Sequence, residues 1–194
     1  KIEVTYLAAS INKNLASSNL KVNLPLKYIL FVGNRDFYKN FNNFILAVEP
    51  LLKEHKDLFL ICAGGGIFTK EEEKFFQSKQ VENKILHSGA DDITLATLYA
   101  NALAFIFPTL YEGFGIPALE AMNCDCPVVM SNTSSLPEVG GDAAIYFDPN
   151  NTDDIRNKIA AVISNRDLRD ELILRASIQR ERFSFERTAK QTLD

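Results

Sequence analysis

The chain reads Leu103-Ala-Phe-Ile-Phe107, then Pro108-Thr-Leu-Tyr-Glu112-Gly-Phe-Gly115, and then Ile116-Pro-Ala-Leu-Glu-Ala-Met122. The first run is apolar throughout, which predicts a strand buried on both faces, as in a parallel sheet. Pro117 stands where the first turn of a helix accepts proline, so the pattern predicts a helix over 116–123. A buried strand, a loop and a helix in this order form the repeating unit of an α/β fold.

The rest of the chain repeats this unit about every 25 residues, a spacing typical of α/β folds. Further strands are predicted at Tyr28–Val32, Leu58–Cys62, Ile85–His87, Val128–Met130 and Ala144–Phe147, and helices at Asn40–Glu54, Thr69–Lys79, Ile93–Asn101, Thr152–Asn165, Asp167–Arg182 and from Ser184 onward. This order predicts a single Rossmann-like, doubly wound parallel sheet with helices on both faces. Residues 8–27 read as an irregular connection after a strand-like run at Ile2–Leu7. We expect both chain ends to be cut from a longer protein.

The composition excludes several classes of protein. The 194 residues carry 21 Lys and Arg against 25 Asp and Glu, a net charge of -4. That balance argues against a nucleic-acid binder, because phosphate contacts need clustered cations. Three cysteines do not make a disulfide scaffold and suit a reducing cytoplasm. No apolar run approaches the roughly 20 residues that a membrane span needs.

Two glycine-containing loops follow predicted strands at the edge where a doubly wound sheet binds its ligands. Gly33-Asn-Arg35-Asp-Phe-Tyr-Lys39 follows the first strand, and its two cations could hold a diphosphate without a metal. The alternative is a solvated loop with two surface charges. Gly64-Gly65-Gly66 follows the next strand and allows close backbone approach to a ligand, although a flexible turn is the alternative.

The loop from Pro108 to Gly115 combines a carboxylate with a helix start. Glu112 enters the crevice, and the free N–H groups near Ile116 form an anion site that the helix dipole strengthens. Glu120 lies within the first two helical turns, where a carboxylate can accept hydrogen bonds from sugar or ribose hydroxyls. The alternatives are a solvated carboxylate at Glu112 and dipole stabilisation by Glu120. The polar stretch Ser131–Glu138 could line the same crevice or form a capped loop.

Other chemistries lack the residues that they need. His55 and His87 lie in different segments with no zinc ligand set nearby, and Cys124 and Cys126 have no second cysteine pair. The sequence contains neither a phosphate-binding P-loop nor the nucleophile turn of the α/β-hydrolases. We therefore expect no metal and no cofactor.

Several motifs taken together resemble a known family. Glu112 and Glu120 enclose seven residues, including Gly-Phe-Gly-Ile-Pro, which resembles the E-x7-E signature of the retaining glycosyltransferases of family 4. The resemblance lies in their donor-binding C-terminal domain and runs from about Tyr28 to the chain end. It also includes Phe31-Val-Gly33, Tyr38-Lys-Asn40, Cys62-Ala-Gly-Gly65, Pro127-Val-Val129 and Ser135-Leu-Pro-Glu-Val-Gly-Gly-Asp-Ala-Ala144.

Two positions depart from the family pattern. Many relatives carry Arg directly after the glycine equivalent to Gly33, whereas here Asn34 holds that position and Arg35 follows. Asn-Arg before Tyr-Lys-Asn is similar to a sub-pattern of bacterial sugar transferases, often mannosyl ones. Asp125 stands where glycine is usual, and aspartate tolerates the left-handed conformation better than most residues.

The resemblance implies half of a GT-B enzyme and a role for each motif. Residues 28–194 would form the nucleotide-sugar-binding domain, and residues 1–27 would connect it to a missing N-terminal domain. Glu112 would act as the catalytic residue on the donor sugar, Glu120 would bind the ribose, and Ser88-Gly-Ala90 would lie near the base. The implied donor-binding residues are Gly33, Arg35, Lys39, Gly65, Glu112, Gly113, Phe114, Gly115, Ile116 and Glu120.

The implied function is transfer of a sugar, with retention, from a nucleoside-diphosphate sugar such as GDP-mannose to a saccharide or lipid-linked acceptor. The acceptor would be reached through the missing domain, so the isolated chain is expected to bind nucleotide without transferring sugar. We expect a bacterial, cytoplasmic enzyme of polysaccharide biosynthesis, with peripheral attachment to the inner face of the membrane left open. The alternatives are a sugar-nucleotide epimerase, a phosphorylase of the same fold, or a non-catalytic nucleotide-sugar-binding scaffold.

Overall fold

The computed structural model describes residues 4–17 and 24–193. Its strands are β1 (Lys27–Val32), β2 (Leu58–Ala63), β3 (Ile85–Ser88), β4 (Ala104–Phe107), β5 (Val128–Ser131) and β6 (Ala144–Phe147). Its α-helices are α1 (Phe41–Glu54), α2 (Lys70–Lys79), α3 (Asp92–Asn101), α4 (Ile116–Asn123), α5 (Leu136–Gly140), α6 (Thr152–Ser164), α7 (Arg166–Gln179) and α8 (Phe185–Leu193). All six predicted strands are present, and each of their ends lies within one residue of the prediction.

The strands form one parallel sheet in the order β3-β2-β1-β4-β5-β6. This is the doubly wound order of the Rossmann fold, so the predicted fold class is confirmed. The chain adds β2 and β3 on one side of β1, then crosses back and adds β4, β5 and β6 on the other side. The loops that follow these two strands therefore diverge at the carboxyl edge and leave a crevice between them, where ligands bind in such sheets.

The core consists of two apolar clusters, one on each face of the sheet. Leu30 of β1 belongs to one cluster, whereas its neighbours Ile29 and Phe31 belong to the other. In β4, Phe105 and Phe107 face the first cluster and Ile106 faces the second. Burial on both faces explains why these strands are continuous apolar runs instead of alternating ones.

Local signals account for where several helices begin. Thr69 and Glu72 form the predicted capping box at the start of α2, and the Asp91 side chain caps α3. Asp125 adopts the left-handed conformation, with φ of 55°. One short helix, α5, was not predicted as a helix, because five residues carry too little periodicity to be recognised.

The N-terminal part of the chain differs from the prediction. Val4–Leu7 forms no strand, so the strand predicted for Ile2–Leu7 is wrong within the described residues, and Lys1–Glu3 lies outside them. The following segment is irregular as expected, but Ile11 is buried and a 3-10 turn at Lys13–Leu15 packs against α3. Residues 18–23 also lie outside the described part. Within the part that is described, no helix is both long enough and apolar enough to cross a bilayer.

Candidate active site

The loops that follow β1 and β4 are joined by hydrogen bonds at the edge of the crevice. The Tyr38 carbonyl accepts hydrogen bonds from the Leu110 N–H at 2.8 Å and from Thr109 Oγ1 at 3.0 Å. Thr109 Oγ1 also lies 3.0 Å from the Tyr111 carbonyl. Because the two loops share these bonds, the side chains of Lys39 and Glu112, which follow directly, are held at a fixed distance.

Lys39 and Glu112 form a largely buried ion pair. Lys39 Nζ lies 2.7 Å from Glu112 Oε1, and the two side chains are only 10% and 15% exposed. The ammonium also lies 5.2 Å from the centre of the Tyr38 ring and 5.1 Å from that of Phe107. An ammonium has three N–H donors, so two remain for another partner after Glu112 has taken one.

Backbone geometry turns Lys39 into the crevice. A 3-10 turn at Phe37–Lys39 ends at Asn40, whose left-handed conformation (φ of 58°) starts α1. Gly33 has φ of 120°, and a Cβ at that position would lie 3.8 Å from Lys39 Nζ. The positive φ is what requires glycine at position 33, since a Cβ there would make only ordinary van der Waals contact with Lys39.

The start of α4 presents unpaired backbone donors close to this ion pair. Among the hydrogen bonds of residues 4–17 and 24–193, none uses the N–H groups of residues 113–116. Gly115 has φ of 105°, and a Cβ there would lie 2.8 Å from Leu136 Cδ2, so only glycine fits. Gly113 has no such requirement, because nothing lies within 4 Å of its Cβ position. Four successive free N–H groups at a helix start form an anion-binding site.

Two serines of the loop after β5 hold the Glu112 loop in place. The Glu112 N–H donates to Ser134 Oγ at 3.0 Å, and Ser135 Oγ donates to the carbonyls of Glu112 at 3.1 Å and Phe114 at 2.9 Å. The sequence left the Ser131–Glu138 stretch as either a lining of the crevice or a capped loop and assigned none of these contacts. Two adjacent serines before Leu-Pro were the available signal, because short hydroxyl side chains commonly bond to nearby backbone.

Glu120 is held by a buried tyrosine of α3. Tyr99 OH donates to Glu120 Oε2 at 3.2 Å, and Tyr99 is fully buried. Burial raises the pKa of Glu120 above its ordinary value, the Tyr99 hydrogen bond opposes that shift, and the nearby Asp92 charge adds to it. Glu112 therefore contacts the β1–α1 loop while Glu120 contacts α3, which places the two carboxylates at different parts of the crevice. Tyr99 was missed because buried aromatics of a helix read as core.

Arg35 is engaged away from Lys39. Its Nε lies 2.5 Å from Glu72 Oε1, and its terminal nitrogens donate to the carbonyls of the Gly64–Ile67 turn at 3.1 to 3.3 Å. Gly65 lies against it, because a Cβ there would be 2.8 Å from Arg35 Nη1. The structure thus brings Lys39 and Glu112 together, whereas protein oxygens take four of the five Arg35 N–H groups and leave one, on Nη1, without a partner among the described residues. A direct contact of Arg35 with a donor stays a prediction.

The Phe114 side chain and the Phe114 backbone N–H lie in different surroundings. Its ring packs against Tyr6, with centroids 6.3 Å apart, and against Phe183, with centroids 5.9 Å apart. The backbone N–H remains at the crevice with those of its neighbours, and the Ile116 side chain is 38% exposed.

The part of the chain that the structure describes holds no group of three or more His, Cys, Asp or Glu side chains placed to bind a metal.

Comparison with known proteins identifies the family. Residues 12–178 match the family described as glycosyl transferases group 1. The chain belongs to the group 1 glycosyltransferases. Over 170 residues it is 34% identical to O-antigen chain mannosyltransferase B of Escherichia coli, a match that covers 86% of this chain and 45% of that protein. An uncharacterized glycosyltransferase of Methanocaldococcus jannaschii, MJ1607, is 32% identical over 172 residues, which are 87% of this chain and 44% of that one.

This glycosyltransferase chain therefore spans less than half the length of those two relatives. Solved structures of similar fold include sucrose-phosphate synthase from Thermosynechococcus elongatus, with a TM-score of 0.79, 23% identity, and coverage of 95% of this chain and 49% of that one. TarM of S. aureus in complex with UDP has a TM-score of 0.78 and 18% identity, and the match covers 99% of this chain and 37% of that one. The neighbours are GT-B glycosyltransferases, as the motifs implied.

Proposed function

We propose that this glycosyltransferase domain binds a nucleoside-diphosphate sugar in the crevice between the β1 and β4 loops. The Lys39–Glu112 pair beside four free N–H groups is the observation that carries the proposal. An ammonium next to a helix start suits a diphosphate, and the carboxylate paired with that ammonium suits the hydroxyls of the attached sugar.

In this proposal Lys39 and the N–H groups of residues 113–116 bind the diphosphate. When the glycosidic bond breaks, negative charge builds on the departing phosphate oxygen while the sugar becomes oxocarbenium-like. A fixed ammonium and fixed backbone dipoles stabilise that charge without reorganising, which lowers the barrier to transfer. The proposed reaction needs no metal, because these groups supply the positive charge that a divalent cation would provide.

The two glutamates divide the donor between them. Glu112 accepts hydrogen bonds from the sugar hydroxyls and, without a donor, balances the charge of Lys39. Glu120, which Tyr99 holds toward α3, accepts hydrogen bonds from the ribose hydroxyls. The glycines at 33 and 65 keep the backbone close to the ligand, and the β3–α3 loop at 88–90 lies at the base.

Mannose is the proposed sugar, and GDP-mannose the proposed donor. The support is the identity of 34% to an O-antigen chain mannosyltransferase, together with the identity of 29% to a serotype-specific mannosyltransferase, WbdA, of Escherichia coli. The acceptor is proposed to be a saccharide or a lipid-linked saccharide of polysaccharide biosynthesis, held on the cytoplasmic side by the remainder of the protein. Transfer proceeds with retention, so the acceptor attacks the face from which the phosphate leaves.

The isolated chain is proposed to bind the donor without transferring its sugar. The acceptor hydroxyl must be held at the anomeric carbon by the opposite wall of the cleft, and proximity of this kind supplies a large part of the rate. A residual hydrolysis of the donor by the isolated chain is compatible with this proposal, whereas sugar transfer to an acceptor is not.

The test is transfer by the full-length protein from GDP-mannose, UDP-glucose, UDP-N-acetylglucosamine and ADP-glucose to a saccharide acceptor. We expect GDP-mannose to be used, an α-linked product by NMR, and loss of transfer in Glu112→Ala with an unchanged circular dichroism spectrum. Transfer that survives Glu112→Ala would point to a scaffold role for this site. Epimerised nucleotide sugar without transfer would support the epimerase alternative.

A further inference from the structure

We propose that Arg35 is a positioning residue, which fixes the Gly64–Ile67 turn and thereby the spacing between the diphosphate end and the nucleoside end of the crevice. This inference rests on the proposed function, since it concerns how the same site is built. It assigns to Arg35 a role other than that of a diphosphate ligand.

The contacts of Arg35 occupy four of the five N–H groups of its guanidinium and leave one, on Nη1, without a partner among the described residues. Nε donates to Glu72, Nη1 donates to the Gly64 carbonyl at 3.1 Å, and Nη2 donates to the carbonyls of residues 65–67. The side chain is 5% exposed, and its guanidinium carbon lies 5.1 Å from the centre of the Phe68 ring. A guanidinium held by a carboxylate, four carbonyls and an aromatic ring has one well-defined position.

The turn that Arg35 holds has no side chains on its first three residues. Gly64, Gly65 and Gly66 all have positive φ, at 81°, 68° and 73°. Three successive glycines bring no side chain to pack, and each loses more backbone entropy on ordering than any other residue. The Arg35 guanidinium binds the carbonyls of the whole turn, and these hydrogen bonds offset the loss of backbone entropy.

The turn connects the two ends of the crevice. On one side, the Gly33 N–H donates to the Ala63 carbonyl at 2.9 Å, and the Cβ position of Gly65 lies 2.9 Å from the Gly33 carbonyl oxygen. On the other side, the Gly64 N–H donates to the Ser88 carbonyl at 3.3 Å. Gly33 borders Lys39, whereas Ser88 begins the loop proposed to lie near the base. A shift of the turn therefore changes the distance between these two parts of the site.

The carboxylate partner of Arg35 is itself anchored. Glu72 Oε2 accepts from the Thr69 N–H at 2.7 Å, and the Glu72 N–H donates to Thr69 Oγ1 at 3.2 Å, so Glu72 also caps α2. If Arg35 turned to a diphosphate, it would leave this partly buried carboxylate without its cation, which is strongly unfavourable. The helix start thus keeps Arg35 in its place.

The outer side of Arg35 is also unsuited to phosphate. A surface cavity of about 540 Å³ borders it, and Asp36, Glu71 and Glu72 contribute to the lining. Three carboxylates repel an anion, so this cavity does not offer Arg35 a second phosphate position. The remaining role that its contacts support is to hold the turn.

The experiment compares Arg35→Ala, Glu72→Ala and their double variant with Thr69→Ala in the full-length protein. Thr69→Ala is the matched control, because it weakens the cap of α2 and leaves the Arg35–Glu72 contact in place. Donor KM, kcat and affinity for GDP and UDP are measured together with amide hydrogen exchange of residues 63–68 and 87–90. Circular dichroism establishes that each variant is folded.

A positioning role predicts that Arg35→Ala and Glu72→Ala raise the donor KM in the same direction, by about tenfold, with a much smaller change in kcat. The double variant should match the singles, because both remove one unit. Exchange should accelerate on both sides of the turn, and Thr69→Ala should change neither KM nor that exchange. Arg35→Lys should recover only part of the affinity, since lysine cannot span the turn.

A direct diphosphate ligand predicts the opposite pattern and would overturn the inference. Glu72→Ala would then release Arg35 and tighten GDP or UDP binding, while Arg35→Ala would lower kcat, because charge on the phosphate grows in the transition state. If the wild type binds no nucleotide, the proposed function fails, and the exchange data still decide: unchanged exchange at 63–68 in Arg35→Ala would reject the positioning role.

Discussion

Arg35 and Lys39 lie four residues apart in one loop, yet they pair with glutamates in different parts of the molecule. Lys39 pairs with Glu112 in the crevice between β1 and β4 and keeps donors for a ligand. Arg35 donates with four of its five N–H groups to Glu72 and to the turn of three glycines. Both are basic and nearly buried, so residue type and burial alone do not distinguish a ligand-binding cation from one that holds the fold.

The surroundings of the two cations make that distinction. Lys39 lies between aromatic rings and beside unpaired N–H groups, where an added anion gains several partners. Arg35 already has a carboxylate and carbonyl oxygens on its reachable sides. A cation that donates to many oxygens of the protein holds those groups in place. A cation with a single carboxylate partner, next to unpaired N–H groups, can exchange that partner for a ligand.

The largest effect is expected when the carboxylate that faces Lys39 is neutralised. Glu112→Gln should reduce sugar transfer by the full-length protein by about 100-fold or more, because contacts made to the reacting sugar are lost. Binding of GDP or UDP should persist or tighten, since Lys39 is released from its ion pair. Kinetics and calorimetry measure both effects.

The control for that substitution is Glu138→Gln. Glu138 lies in the neighbouring helix α5, and its carboxylate accepts from Tyr6 instead of Lys39. Transfer by this variant should stay within a few-fold of the wild type, an order-of-magnitude expectation for contacts outside the reacting centre. Equal losses in the two variants would contradict a specific role for Glu112.

The next largest effect concerns the turn that Arg35 holds. Gly65→Ala places a Cβ 2.8 Å from Arg35 Nη1 and 2.9 Å from the Gly33 carbonyl oxygen, at a positive φ. We expect a loss of about 2 kcal/mol or more in the free energy of unfolding. Gly113→Ala, whose Cβ would meet nothing within 4 Å, should change it by less than about 0.5 kcal/mol. Denaturant titration measures both, and equal losses would argue against a strained contact at Gly65.

A moderate effect is expected from the tyrosine that orients Glu120. Tyr99→Phe keeps the packing and removes the hydrogen bond at 3.2 Å, so nucleotide binding should weaken about threefold to tenfold. Tyr28→Phe is the control, because Tyr28 is equally buried and its OH donates to the Leu98 carbonyl instead. Both variants should lose similar stability in thermal denaturation. Weaker nucleotide binding in Tyr28→Phe as well would show that the effect is general.

The smallest effect is a pH dependence of stability from Glu72. Burial alone would raise the pKa of Glu72, but hydrogen bonds from Arg35 and Thr69 outweigh it, and the pKa lies below its ordinary value. A carboxyl whose pKa is lowered by folding stabilises the protein fully above its unfolded pKa of about 4.3. That contribution is lost as the pH falls through the lower, folded value.

Thermal denaturation of Glu72→Gln measures this contribution. Its Tm should lie about 2–4 °C below that of the wild type at pH 7, and the difference should shrink only as the pH falls below about 4.3. Glu71→Gln, at an exposed neighbour, should show little difference at any pH. A gap between wild type and Glu72→Gln that is independent of pH would contradict an ionic role for Glu72.

The sequence predicted the sheet well because burial on both faces leaves a strong local signal. The runs at Tyr28–Val32 and Leu103–Phe107 are apolar throughout, and the capping box at Thr69 fixes a helix start. The pair of Lys39 and Glu112 could also be anticipated, because both follow strands that end at the same edge. The segment at Val4–Leu7 was mispredicted since a β-rich composition does not supply a neighbouring strand to pair with.

The partners of Arg35 and Glu120 could not be predicted in the same way. Arg35 meets Glu72 across 37 positions of sequence, and Tyr99 meets Glu120 across 21, so each contact depends on how separate loops and helices pack. A basic residue after a glycine gives the same sequence pattern whether it binds a ligand or holds a turn of the protein. Only the position of the acceptors around it decides, and that position arises from tertiary structure.

The most direct measurement is a calorimetric titration of the full-length protein with GDP, UDP and ADP in EDTA. The expected result is metal-independent binding of one nucleoside diphosphate, weakened about tenfold or more by Lys39→Ala. Lys53→Ala, which breaks the exposed pair of Lys53 with Glu49, should leave that affinity unchanged. Binding that requires a divalent metal, or that is the same in Lys39→Ala and the wild type, would contradict a diphosphate site at Lys39.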